Sequence, residues 1–169
     1  MSPFVAGAAL LRENRSRKTA MPETESLELE EPGTPWRRAR ATAVIVSQTG
    51  IDEAMIAALV HGFYARVRED ALLAPVFAPR IADWDAHLAR MCAFWSSVVL
   101  LSGRYHGRPM DRHLPLPVTG RHFDRWLELF EETARDLCPP AAAALFIDRA
   151  HRIARSLAAG IAAQAGAPA

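Results

Sequence analysis

Lysine, cysteine and tyrosine are scarce in this 169-residue chain, and a long hydrophobic run and a Gly-Gly pair are missing altogether. Two cysteines, Cys92 and Cys138, stand alone with no Cys-x-x-Cys spacing, which excludes a disulfide framework and a cysteine metal cage. A reducing, cytoplasmic setting follows as the expectation. No apolar stretch approaches the roughly 18 residues that a bilayer span requires, so no membrane partner is expected. Phe4 to Leu11 is apolar, but the basic residues Arg12, Arg15, Arg17 and Lys18 follow it rather than precede it, the reverse of a secretion signal. Charge of one sign is lacking too. The net charge of +1 offers no field for nucleic acid. Lys18 is the only lysine among 20 basic residues, a bias better explained by base composition than by recognition. With 50% apolar and 23% charged residues, the chain has the ordinary balance of one folded domain.

Residues 1 to 46 mix basic and acidic clusters with Pro22, Pro32 and Pro35 and show no sustained periodicity; they read as a flexible N-terminal extension. Residues 47–169 read as the folded domain. The spacing Thr49-Gly-Ile-Asp52 predicts a capped helix start, after which Ile51, Met55, Leu59, Phe63 and Val67 recur at four-residue steps until about Asp70. Leu72 to Pro79 reads as a turn-rich connection. Asp83 is placed to cap a second helix carrying Trp84, His87, Leu88, Met91, Trp95 and Val98 on one face. Three glycines and three prolines between residues 102 and 121 leave room for one short helix starting at Pro109, with His113 inside it. A third long helix starts near Thr119, with Phe123, Trp126, Leu127, Phe130, Ala134 and Leu137 on one side, and is stopped by Pro139-Pro140. A fourth follows with Phe146, Ile153, Leu157 and Ile161 inward. No alternating strand pattern and no repeat occur, so the class is all-α.

The helical faces carry more aromatic and histidine side chains than an aliphatic bundle needs. Taken singly, each aromatic reads as core, and His113 reads as a ring capping the last carbonyls of a short helix. Together, a histidine in a proline-bounded turn, a tyrosine, a second histidine and a tryptophan on three further helices can surround a flat ligand. Haem demands that combination: one rigid nitrogen ligand, apolar walls and a few donors. Without a Cys-x-x-Cys-His, attachment would be noncovalent. Two other readings stand beside this one. A metal hydrolase would use His87, His106, His113 and His122, yet no two histidines lie four apart on one helix with a supporting carboxylate. A cofactor-free helical interaction module would use the arginine-rich faces.

The run Phe63-Tyr64-Ala65-Arg66-Val67-Arg68-Glu69-Asp70, followed by Leu73-Ala74-Pro75-Val76-Phe77, resembles the opening of the truncated haemoglobins, above all their third group. The likeness continues through Trp84-Asp85-Ala86-His87, Phe94-Trp95, Tyr105-His106-Gly107-Arg108-Pro109, His113-Leu114-Pro115-Leu116-Pro117 and Phe123-Asp124-Arg125-Trp126-Leu127-Glu128-Leu129-Phe130. It spans about residues 47 to 164. The first two groups usually carry Gly-Gly at helix ends, and this chain has none.

The resemblance implies a shortened globin, two helices over two with haem b between them. It makes His113 the iron ligand, Tyr64 the main donor on the ligand side, Trp126 a second donor through its indole N–H, and His87 a gate. Phe77 would pack on the haem while Met91, Phe94 and Phe123 wall the pocket, with Trp95 as core behind it. The implied ligands are dioxygen, carbon monoxide and nitric oxide, with a reductase as redox partner. Two buried donors would retain a polar ligand, which favours peroxidase-like chemistry, nitric oxide dioxygenation or sensing over oxygen storage. Residues 1 to 46 lie outside the likeness, and on this reading they are dispensable for folding and haem binding.

Overall fold

Aspartates and prolines mark where the helices begin. Asp52 accepts a hydrogen bond from the Met55 amide at 2.7 Å and Asp83 accepts one from Ala86 at 2.9 Å, each satisfying a donor that the first helical turn leaves open. Pro75, Pro109 and Pro140 each occupy a first turn, where a missing N–H costs nothing. The computed structural model describes residues 35–166. Its elements are α1 Pro35–Thr49, α2 Glu53–Glu69, α3 Ala74–Phe77, α4 Trp84–Val99, α5 Pro109–His113, α6 Gly120–Leu137 and α7 Pro140–Ala165. No strand occurs among the described residues, and no single helix among them is long and apolar enough to cross a membrane.

Two expectations at the N-terminal end are corrected. Thr49 does not start a helix; it finishes α1, its hydroxyl donating to the Ile45 carbonyl at 2.7 Å and accepting from the Ile51 amide at 3.2 Å. Gly50 then adopts φ 69°, a left-handed conformation that closes helices and suits glycine, so the capping role passes to Asp52. The boundary at residue 46 also falls inside a helix, because residues 35–46 make up most of α1. That helix packs against α7, and the Thr42 hydroxyl donates to the Leu100 carbonyl at 2.5 Å. Its contact stripe of Ala41, Thr42, Ile45 and Thr49 is half-buried; these short side chains, beside Arg37, Arg38 and Arg40, make a weak periodic signal. The rest of the expected extension, residues 1–34, lies outside the described residues.

Two pairs of long helices make the body. Helix α2 packs on α4 and on α6, and α7 packs on α6 and on α4, the all-α, two-over-two arrangement expected above. The seam is closed by Ile56, Leu59, Val60, Phe63 and Val67 of α2, Trp95 and Val99 of α4, Phe130 of α6 and Phe146 of α7, all buried. Each large side chain so buried contributes about 1.5–3 kcal/mol. Helices α2 and α6 approach closely at Gly62, where a Cβ would collide with the Leu137 side chain. Leu137, expected inward, lies over that glycine at the last turn of α6 but remains 47% exposed.

Helix α4 leads into α5 through a loop pinned from below. The fully buried Ser96 hydroxyl donates to Glu53 Oε1 at 2.6 Å and accepts from Ser102 Oγ at 2.7 Å, while Arg104 pairs with the other Glu53 oxygen at 2.9 Å. At the far end, Gly160 of α7 lets Met110 of α5 lie against the helix backbone. Helix α5 is therefore docked on α7 at the end of a tethered loop.

The α1 contact yields a prediction. A chain starting at Ser47 is expected to lose about 1–2 kcal/mol of stability relative to one starting at Pro32, because it forfeits the Thr42 hydrogen bond and the half-buried stripe on α7. Urea denaturation of the two chains measures the difference; equal midpoints would show that α1 contributes nothing.

Candidate functional site

Tyr64 follows Phe63 on α2, and both are buried. Their rings meet edge-on at 5.0 Å, which places them on adjoining parts of one broad face. Phe63 faces the α6 aromatics, with Trp126 and Phe130 each 5.3 Å away. Tyr64 faces the opposite way, toward His87 at 4.9 Å, Phe77 at 6.0 Å and Trp84 at 6.1 Å. Trp84 and His87, three apart on α4, also touch each other at 5.7 Å, and the Arg68 guanidinium covers Trp84 at 4.9 Å. Edge-to-face contacts of this kind orient rings as well as burying area.

Two polar groups inside this cluster lack protein partners. His87 Nε2 is buried without a hydrogen bond, and the Tyr64 hydroxyl makes none to the side chains or backbone described. Burial first, and Arg90 second, hold the His87 imidazole below its ordinary pKa, so it is neutral at pH 7. Burial pushes the Tyr64 phenol well above its usual value, so it keeps its proton and remains a donor. An orphaned buried polar atom such as His87 Nε2 costs roughly 1–3 kcal/mol, and its place beside the unengaged Tyr64 hydroxyl marks a candidate ligand site.

His113 is held differently. Its Nδ1 lies 2.6 Å from the Pro109 carbonyl one turn back in α5. A carbonyl only accepts, so Nδ1 carries the proton and Nε2 presents a lone pair, the tautomer that a metal-ligating histidine needs. The ring is half-buried.

Around these groups the apolar side chains are incompletely covered. Trp84, Leu88, Met91, Phe94 and Val98 of α4, with Phe123, Trp126 and Leu127 of α6, are all half-buried, whereas Phe63 and Phe130 behind them are closed off from water. Partly exposed large apolar groups on facing helices, the buried unpartnered His87 Nε2, the unengaged Tyr64 hydroxyl and an imidazole with a fixed tautomer fit a flat apolar macrocycle with an iron centre. Haem suits this donor set better than a bare metal ion. No group of three His, Cys, Asp or Glu side chains among the described residues could hold one.

The structure thus brings Tyr64, His87 and Phe77 into direct contact, with Trp126 joined through Phe63. Met91 and Phe94 lie farther along α4, Phe94 against Trp95 and Tyr105 at 5.7 and 5.2 Å, and Phe123 opens α6. His113 stands apart on α5, without an aromatic contact to the Tyr64 cluster. Trp95 is core, stacked on Phe130 at 4.8 Å. The hydrolase set is dispersed: His106 is exposed, and His122 closes a capping box by accepting from the Thr119 amide at 3.1 Å. Sequence reasoning left Trp84 out of the site; its spacing of three from His87 on one helix was the available signal.

Comparison with known proteins bears on the family and the fold. The profile of the bacterial-like globin family matches residues 46–154. The chain is 35% identical over 109 residues to the group 3 truncated haemoglobin of Campylobacter jejuni, covering 62% of this chain and 86% of that protein. It is 31% identical over 84 residues to a group 2 truncated haemoglobin of Bacillus subtilis, 48% of this chain and 64% of that one. Among solved structures, the group III truncated haemoglobin from C. jejuni superposes with a TM-score of 0.62 at 33% identity, covering 66% of this chain and 91% of its own. The haemoglobin of the thermophilic phototroph Chloroflexus aurantiacus gives 0.56 at 26% identity, covering 67% and 95%.

The half-buried, neutral His87 makes stability depend on pH. Its folded pKa lies below the ordinary 6.5, so under acid the unfolded chain takes up a proton that the folded chain refuses, and stability falls as pH drops below about 6.5. Between about pH 7.5 and 5.5 the urea midpoint of the full-length protein is expected to fall, and to fall less in His87→Leu. Equal losses in both proteins would mean that His87 titrates normally.

Proposed function

The chain belongs to the bacterial-like globin family, as a truncated haemoglobin of the third group, and on that premise we propose that it holds haem b noncovalently through His113 and retains polar diatomic ligands tightly. Haem binding and diatomic gas binding are properties of the globin family. The tightness, and the use of it, are specific to these residues. The observation that carries the reading is the buried His87 Nε2, without a protein partner, in edge-on contact with the ring of Tyr64 at 4.9 Å. When bound, haem supplies an iron that accepts an axial nitrogen and a diatomic gas.

His113 is proposed as the axial ligand because the Pro109 carbonyl fixes its proton on Nδ1 and leaves Nε2 free. The proposed wall on the ligand side is formed by Tyr64, His87, Phe77 and Trp126, with Met91, Phe94 and Phe123 completing the apolar lining. Tyr64 donates a hydrogen bond from a water-poor setting, where donation to a partly negative acceptor is strong. Trp126 offers a second N–H, and neutral His87 offers a ring that blocks the approach from α4. Retention of this kind suits peroxidase-like chemistry, nitric oxide dioxygenation or sensing better than storage, and the redox options require a reductase. A cofactor-free interaction module is the weaker reading, because it leaves the unpartnered His87 Nε2 without a use.

Two substitutions test this. His113→Ala is expected to abolish stoichiometric haem uptake and the Soret band of the purified protein, whereas His87→Ala retains both; the opposite pattern would reverse the assignment. Tyr64→Phe keeps ring shape and removes one donor. Stopped-flow dissociation of dioxygen is expected to accelerate about tenfold or more, equivalent to about 1.4 kcal/mol, with carbon monoxide less affected. An unchanged or slower dioxygen off-rate would remove Tyr64 from the ligand site.

A further inference from the structure

Asp70 sits where three elements converge. It is the C-cap of α2, its side chain is only 9% exposed, and both carboxylate oxygens are engaged. Oδ1 accepts from the Leu72 and Leu73 amides at 3.0 and 2.9 Å, and Oδ2 accepts from Arg125 Nε at 2.8 Å. Leu73 is the N-cap of α3, the four-residue helix that ends at Phe77. Arg125 precedes Trp126 on α6 and is steadied by Glu128 at 3.0 Å. Burial opposes the charge on Asp70, but the Arg125 hydrogen bond and the two amides outweigh it and hold the carboxyl below the usual carboxylate range, so the bridge is ionic at neutral pH.

One carboxylate therefore ties α3, whose Phe77 packs on Tyr64, to α6, whose Trp126 packs on Phe63. Phe63 and Tyr64 are neighbours on the very helix that Asp70 terminates. We propose that Asp70 and Arg125 are positioning residues for the ligand site, setting Phe77 and Trp126 on either side of the Phe63–Tyr64 pair and so fixing where the Tyr64 and Trp126 donors point. The inference rests on the proposed role of Tyr64 and Trp126 as donors.

An alternative is that the bridge only strengthens α2–α6 packing. Arg66 and Asp136 supply a control, since they also join α2 to α6, at 2.6 Å, but at an exposed position away from the aromatic contacts. Three variants separate the readings: Asp70→Asn, Arg125→Met and Arg66→Met. The first readout is the Trp126 indole 1H–15N resonance in the full-length protein under carbon monoxide, assigned with Trp126→Phe. The second is the ratio of dioxygen to carbon monoxide dissociation rates. Asp70→Asn and Arg125→Met are each expected to move the Trp126 resonance beyond its line width and to raise the rate ratio about fivefold. Their double mutant should go no further than the larger single effect, because both break one bridge. Arg66→Met should change neither readout, whatever it does to the melting temperature.

The proposal is overturned if the Trp126 resonance stays in place in both bridge variants, or if Arg66→Met moves it equally. Arg125 is more than a third exposed, so Arg125→Met remains a fair test should Asp70→Asn not fold. If the resonance moves while Tyr64→Phe leaves dioxygen release unchanged, the positioning role stands and the donor role of Tyr64 falls.

Discussion

The stack of Trp95, Phe130 and Trp126 sets the spacing on which the rest of the structure depends. Phe130 lies nearly parallel to Trp95 at 4.8 Å and to Trp126 at 5.3 Å, so one column of rings runs from α4 into α6. Phe63 of α2 meets it edge-on at both Trp126 and Phe130. Rings this large tolerate little sliding in a close-packed interior, and they fix α2, α4 and α6 at distances that leave the next layer of side chains half-covered. Phe146 of α7 closes the column from behind, 5.9 Å from Trp95. A bundle meant only to bury its own core would bring aliphatic side chains together where this one leaves Met91, Phe94, Leu88 and Phe123 in partial contact with water. The arrangement gives up burial on one side of the column while completing it on the other.

The polar groups follow the same division. Behind the column every buried hydroxyl is used: Ser96 binds Glu53 and Ser102, and Thr133 donates to the Leu129 carbonyl at 2.6 Å. On the half-covered side, the buried His87 Nε2 has no protein partner and the Tyr64 hydroxyl makes no hydrogen bond; the other buried unpartnered atom is Arg149 Nε on α7. Stability alone would favour phenylalanine at residue 64 and an apolar side chain at residue 87. The unpartnered His87 Nε2 is a cost to the protein alone that a bound molecule would offset, and it is the physical reason for proposing that the site is functional rather than irregular core. Helix α5 complements it, since a five-residue helix tethered by Glu53, Ser96 and Arg104 and seated at Gly160 presents one imidazole in one tautomer.

Much of this was readable from local chemistry. Asp83 as a cap, Pro109 as the first residue of a short helix and Pro139-Pro140 as a stop are signals confined to a few neighbouring residues, and the structure places α4, α5 and α6 accordingly. Periodicity likewise marked Phe63, Trp95, Phe130 and Phe146 as inward. Thr49 misled because its capping-box spacing is shared by a residue that ends a helix, and only the left-handed Gly50 decides between them. Helix α1 escaped because its half-buried stripe is made of small side chains and one isoleucine, so its periodicity is faint and its docking includes the Leu100 carbonyl, 58 residues away. Arg125 and Asp70 are separated by 55 residues, and no local pattern links them. Trp84 was visible as an apolar face residue, but its contact with Tyr64 requires knowing how α4 crosses α2.

The central claim is that α5 supplies the iron ligand through the free nitrogen of His113. Resonance Raman spectroscopy of the ferrous, ligand-free protein with 15N-labelled histidine tests it most directly. The account predicts an iron–imidazole stretching band that shifts on labelling and disappears in His113→Gly, returning when free imidazole is added. A band that persists unchanged in His113→Gly would contradict it.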